Sequence, residues 1–182
     1  MLTLFINTAR YCSEILLLDE DKVYGKKMTR SSGRESEVLL KGIDQLLVKS
    51  GCKLENVNAV LIVLGPGSFT GLRIGLAVAQ ALSYGLGVPL LGISYFDLLR
   101  ARLGDVRCPL VVPAGPEKWF YQRGKKIEII DKLPKEFLGE EDVKLSLVKV
   151  VQMILQKKKY RRLKKAEPLY VHPPKITRKK EL

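Results

Sequence analysis

Residues 59–71 constrain the fold more than any other stretch. An unbroken apolar run, AVLIVL, leads straight into the glycine loop GPGSFTG and then into a helical pattern. Apolar residues without alternation suit a strand covered on both faces of a sheet. Three glycines in seven residues let the chain turn sharply and let another backbone or a ligand approach closely. A loop between a strand and a helix can also turn backbone N–H groups toward an anion.

The flanking segments complete an α/β plan. Residues 2–6 and 12–18, joined by the polar turn 7–11, and residues 23–28 predict an antiparallel meander. A helix is expected over 34–49. Ser32 and Glu35 have capping-box spacing, Val38, Leu39, Ile43, Leu46 and Leu47 form a stripe, and Gly51 is the C-terminal cap. After the glycine loop come a helix over 72–86, a buried strand over 89–93 and a short helix over 94–103, where Ser94 and Asp97 repeat the capping spacing. This β-β-β-α-β-α-β-α order is that of helices layered on a mixed sheet. Beyond it, strands are expected at 106–112, 119–121 and 126–130, a helix at 142–158, and a frayed tail at 175–182. Residues 1–103 are thus expected to form one lobe and 104–182 a smaller second one.

Charge divides the chain unevenly. Residues 1–122 carry 14 Lys/Arg against 11 Asp/Glu, whereas residues 123–182 carry 18 against 8. The first part reads as a neutral body; the last third attracts a polyanion such as RNA, or is a lysine-rich solubilising surface. Seven cations fall within residues 157–165: Lys157, Lys158, Lys159, Arg161, Arg162, Lys164 and Lys165. Among them Tyr160 is placed to stack on a base, and Lys175, Arg178, Lys179 and Lys180 form a second cluster. The alternative is a solvated helix end whose cations favour the helix dipole.

Cys12, Cys52 and Cys108 are far apart and form no CxxC pair, which fits a reducing cytoplasm and neither a disulfide framework nor a cysteine zinc site. No apolar run is long enough to span a membrane, and the first 18 residues lack a basic leader.

The glycine loop is not a phosphate loop of the Walker type, because Leu72 and Arg73 stand where a Lys-Ser/Thr pair is required. Nor is it a clean GxGxxG, since Gly71 comes one residue late. A purely structural turn is an equally good reading. His172 is the sole histidine, so it cannot form an HxxxH pair, and Ser68 and Ser94 lie in no GxSxG elbow. No catalytic residue and no metal ligand set is expected.

The run from Gly65 to Ser94, GPGSFTGLRIGLAVAQALSYGLGVPLLGIS, resembles the signature of the TsaB/YeaZ family. Weaker likenesses accompany it: LFINT at 4–8 to a first-strand LAIDT, Ser36, Glu37, Leu39, Leu40 and Ile43 to HSExLLPxI, and EPLYV at 167–171 to a C-terminal PxYLR. The resemblance implies an actin-like, RNase-H-like nucleotidyl fold. It further implies an accessory, non-catalytic subunit that pairs with a catalytic TsaD-like relative. With a TsaE-like ATPase, that pair forms threonylcarbamoyladenosine in tRNA, in the cytoplasm and without a membrane.

On this resemblance the first two helices are the docking face for TsaD or for a second copy, through Leu39, Leu40, Ile43, Leu47, Ile74, Gly75, Val78, Ala79 and Leu82. Small residues such as Gly75 and Ala79 permit close helix approach; the alternative is that both helices are buried within the monomer. Asn7, Thr8, Gly65, Gly67, Ser68 and Thr70 are the residues that would face a nucleotide. No cofactor is expected in the isolated chain, with ATP or ADP at the heterodimer interface as the alternative.

The chain departs from the family pattern in three places. Asn7 replaces an Asp, Glu35 replaces a His, and PAGPEKWFY at 113–121 is a degenerate IDARRGEVY. A neutral amide holds a hard cation poorly. These losses weigh against the competing reading of a stand-alone actin-like ATPase or sugar kinase, whose chemistry needs metal and positioned charge. An RNA-binding module driven only by the basic tail would leave the first 100 residues unexplained.

Overall fold

The computed structural model describes residues 1–30, 35–164 and 167–171. The expected meander is present as β1 (Thr3–Asn7), β2 (Cys12–Leu18) and β3 (Val23–Arg30), paired antiparallel in sequence. Helix α1 (Glu35–Lys49) follows, then β4 (Ala59–Val63), α2 (Phe69–Leu86), β5 (Leu90–Ile93) and α3 (Tyr95–Arg102). Strands β1, β4 and β5 are parallel neighbours.

All five residues of β1 and of β4 are buried, as an unalternating apolar run requires. Their side chains divide by parity. Leu4, Ile6, Val60 and Ile62 join the core under α1 and α2, with Leu39, Ile43, Leu76 and Ala79. Phe5, Leu61 and Val63 join the core under α3, with Phe96 and Leu99. Each such buried side chain contributes about 1.5–3 kcal/mol of transfer free energy.

The second half extends this core. β6 (Leu110–Gly115), β7 (Lys118–Arg123) and β8 (Lys126–Ile130) form a separate antiparallel sheet, and α4 (Leu147–Gln156) packs Val150, Val151, Ile154 and Leu155 beside α3. β9 (Arg161–Arg162) closes the main sheet, whose order is β3-β2-β1-β4-β5-β9.

Several boundaries differ from expectation. Helix α2 begins at Phe69, inside the glycine loop, because the Ser68 hydroxyl accepts from the Gly71 N–H and caps it. β6 starts at Leu110, because Arg100 reaches into the preceding loop and donates to the Val106 and Cys108 carbonyls. The helix expected over 142–158 is only Leu147–Gln156, because Ser146 caps it at Lys149 and the chain ahead makes a 3-10 turn at Glu140–Asp142. At the other end Lys158 is left-handed (φ 50°), and its flanking N–H groups bond back to Leu155 and Ile154. That pairing is the Schellman stop.

Gly51 is left-handed beyond α1, as its capping role requires. Ser94 caps α3 as expected, but the Asp97 carboxylate takes the Ser94 hydroxyl rather than its backbone N–H. Ser32 and the tail 175–182 lie outside the described residues.

Candidate functional site

The glycine loop docks on the β1–β2 turn. A Cβ on Gly67 would lie 2.1 Å from the Ala9 carbonyl oxygen, one on Gly71 2.3 Å from the Thr8 carbonyl oxygen, and one on Gly75 2.1 Å from Thr8 Oγ1. Gly67 and Gly71 therefore seat a neighbouring backbone, and Gly75 the Thr8 side chain. The Ser68 N–H donates to the Ala9 carbonyl at 2.8 Å, so the loop spends on the protein itself a donor that a phosphate cradle would leave open.

The residues expected to face a nucleotide divide accordingly. The Asn7 amide donates to Glu14 Oε2 at 2.7 Å and its oxygen accepts the Ala9 N–H at 3.1 Å. Thr8 is buried against α2, and its Oγ1 has no hydrogen-bond partner among the described residues. The Gly65 carbonyl accepts the Tyr95 N–H at 2.7 Å. Thr70 is exposed on the first turn of α2, beside a small cavity that Arg10, Ser13 and Glu35 also line.

Sequence reasoning missed Arg10. Its Nε and Nη2 grip the two oxygens of Glu140 at 2.8 and 3.0 Å, and Nη1 donates to the Pro113 carbonyl at 2.8 Å. The Tyr95 hydroxyl donates to the same carboxylate. Burial, and then the Glu140 charge, hold the Tyr95 phenol far above its ordinary range. No local pattern announces this cluster, whose members are brought together only by the packing of the two sheets.

A strap made by 167–171 covers the loop. The Leu169 N–H donates to the Leu64 carbonyl at 2.7 Å. The Arg73 guanidinium lies 4.0 Å over the Phe69 ring and its Nε donates to the Tyr170 hydroxyl at 3.0 Å. A cleft of about 520 Å³ runs between this strap, the β1–β2 turn and the β6–β7 end of the small sheet.

The expected docking face needs correction. Leu39, Ile43, Leu47, Gly75, Val78 and Ala79 are buried in the monomer, because both helices use them to cover the sheet. Leu40 remains 49% exposed, and Ile74 and Leu82 are half-buried. Sequence reasoning left out Val48, 74% exposed. Leu40, Val48, Leu54 and Leu82 line an open apolar groove of about 450 Å³ between α1 and α2.

The basic run also takes a different form. Lys157 caps α4, Lys158 makes the left-handed turn, Lys159 pairs with Asp105 at 3.2 Å, and Arg161 and Arg162 are β9. Tyr160 is half-buried against the core, so its ring is not a free platform. Lys164 is exposed; Lys165, His172 and the second cluster lie outside the described residues. Among the described residues no helix is long and apolar enough to cross a membrane, and no group of three or more His, Cys, Asp or Glu could hold a metal ion.

A family model described as "TsaD: tRNA N6-adenosine threonylcarbamoyltransferase" matches residues 29–177. The chain is 31% identical over 101 residues to the tRNA threonylcarbamoyladenosine biosynthesis protein TsaB of Bacillus subtilis, covering 56% of this chain and 44% of that one. It is 38% identical over 87 residues to the tRNA N6-adenosine threonylcarbamoyltransferase of Symbiobacterium thermophilum, covering 48% and 24%. The chain thus spans less than half the length of these curated relatives. The solved structure of YeaZ from Pseudomonas aeruginosa superposes with a TM-score of 0.67 at 18% identity, covering 93% of this chain and 99% of that one. The two share a fold.

Proposed function

The chain belongs to the TsaD family of tRNA N6-adenosine threonylcarbamoyltransferases, in its TsaB/YeaZ branch, and from that premise we propose that it is an accessory subunit without bond-making chemistry of its own. In this reading it works in threonylcarbamoyladenosine formation in tRNA by docking on a TsaD-like catalytic subunit in the cytoplasm. A TsaE-like ATPase joins the complex, with any ATP or ADP held at the subunit interface.

The observation that carries the reading is the apolar groove between α1 and α2, which leaves Leu40 and Val48 in water. Exposed apolar residues gathered along a groove favour a protein partner. Asn7 supports the non-catalytic half, because its amide is engaged by Glu14 and Ala9 where the family pattern has a carboxylate. Without a TsaD-like partner, a second copy of the chain would cover the same groove.

Reconstitution with a TsaD-like subunit, a TsaE-like ATPase and tRNA tests this. The modified adenosine is expected only when the chain is present. Robust ATP turnover by the isolated chain, or full modification without it, would overturn the proposal.

A further inference from the structure

A second cleft, of about 610 Å³, opens on the opposite side of the strap, beyond the carboxyl ends of β4 and β5. Open α/β sheets characteristically bind ligands at the carboxyl ends of their strands, and this volume lies within the range of small-molecule sites. Its floor is apolar, from Leu64, Ile93 and Ile127. Its rim is cationic and comes from two distant parts of the chain. Lys125 stands on the β7–β8 turn, and Lys158 and Arg161 lie on the run that β9 pins to β5. All three are exposed.

We propose that this cleft holds one nucleotide of a single-stranded RNA, with its base on the apolar floor and the neighbouring phosphates on Lys125, Lys158 and Arg161. The shape of the charge favours a strand over a free nucleotide. The cations stand on two separate walls, Lys125 on the β7–β8 turn and Lys158 and Arg161 on the run at β9, so they match successive phosphates rather than one compact triphosphate. Asp97 also lines the cleft, its carboxylate accepting the Ser94 hydroxyl at 2.6 Å. A phosphate is repelled there; the amino group of a base is not.

The test uses the whole chain alone, so its outcome is independent of docking on TsaD. Fluorescence anisotropy follows a labelled single-stranded RNA 12-mer across a salt series. Each phosphate neutralised on a single strand contributes about 0.7 to the salt slope. The Lys125→Gln/Arg161→Gln variant should therefore lose about 1.4 from the slope and bind roughly tenfold or more weakly at 0.1 M salt. The Lys41→Gln/Lys49→Gln variant removes the same charge from α1 and should bind as the parent does. Lys125→Glu supplies the same test without touching β9. Equal losses in the cleft and control variants would overturn the proposal, as would equal affinity for duplex RNA or displacement of the strand by stoichiometric ATP.

Discussion

The Arg10 guanidinium holds the Glu140 carboxylate in a two-pronged grip, Nε to one oxygen at 2.8 Å and Nη2 to the other at 3.0 Å, across 130 residues of chain. The contact ties the β1–β2 turn to the loop before α4, and the Pro113 carbonyl on Nη1 adds the small sheet. Their side chains are 26% and 31% exposed, so solvent screens only part of the attraction. Arg10→Ala should lower stability by about 1–2 kcal/mol, because it leaves a partly buried carboxylate short of its donors. A double-mutant cycle with Glu140→Gln, read by denaturant unfolding, measures the coupling; a value near zero would show the pair to be incidental.

Tyr95 gives this cluster a pH signature. Its phenol is raised from the ordinary value of 10.0 by burial first and by Glu140 next. A raised folded value means that the contribution is complete below the unfolded pKa and is lost as pH climbs beyond it. Above about pH 10, the parent should therefore lose stability more steeply than Tyr95→Phe. Parallel unfolding curves for the two proteins in that range would refute the assignment.

Two glycines of α2 should respond in opposite directions. Gly71→Ala drives a Cβ to 2.3 Å from the Thr8 carbonyl oxygen, a backbone atom with little room to retreat, and should cost about 1–3 kcal/mol. Gly85 lies in the same helix with nothing within 4 Å of the added carbon. Gly85→Ala should raise stability by about 0.5–1 kcal/mol. Thermal melts of the two variants provide the comparison.

Lys158 occupies a left-handed position that glycine favours. Lys158→Gly relieves about 1–2 kcal/mol of backbone cost and gives back part of it through a more flexible unfolded chain. A net gain below about 1 kcal/mol is expected, together with a shallower salt slope for RNA. A melting temperature that falls would contradict the geometry.

Docking variants must spare the core. Ala79 is fully buried, so Ala79→Arg would unfold the monomer and report nothing about partners. Leu40→Asp and Val48→Asp change exposed positions and should leave the melt within about 0.5 kcal/mol of the parent. Loss of co-elution with a TsaD-like subunit is the expected result; retention in both variants would move the interface elsewhere.

The main sheet was legible because its signals are local. The apolar run of β4 and the cap pair Ser94–Asp97 each announce an element from a few adjacent residues. The docking face was half legible. Periodicity separates apolar from polar positions, yet it assigns Ala79 and Val48 to the sheet or to the solvent only once the helix is seated. The glycine loop was read for anions because Gly67 and Gly71 permit close approach, while the identity of the approaching group, Thr8–Ala9, is set by a turn about 60 residues earlier. Arg10 and Glu140 lay beyond any such reading, since their meeting depends on how two sheets pack.

Leu169 borders both clefts, and its N–H is fastened to the Leu64 carbonyl. One residue of the strap therefore borders both the chamber beside Arg10 and the chamber beside Lys158. The adjacent Tyr170 is held by Arg73 from the first turns of α2, so the anchoring of one short strap shapes a wall of each hollow.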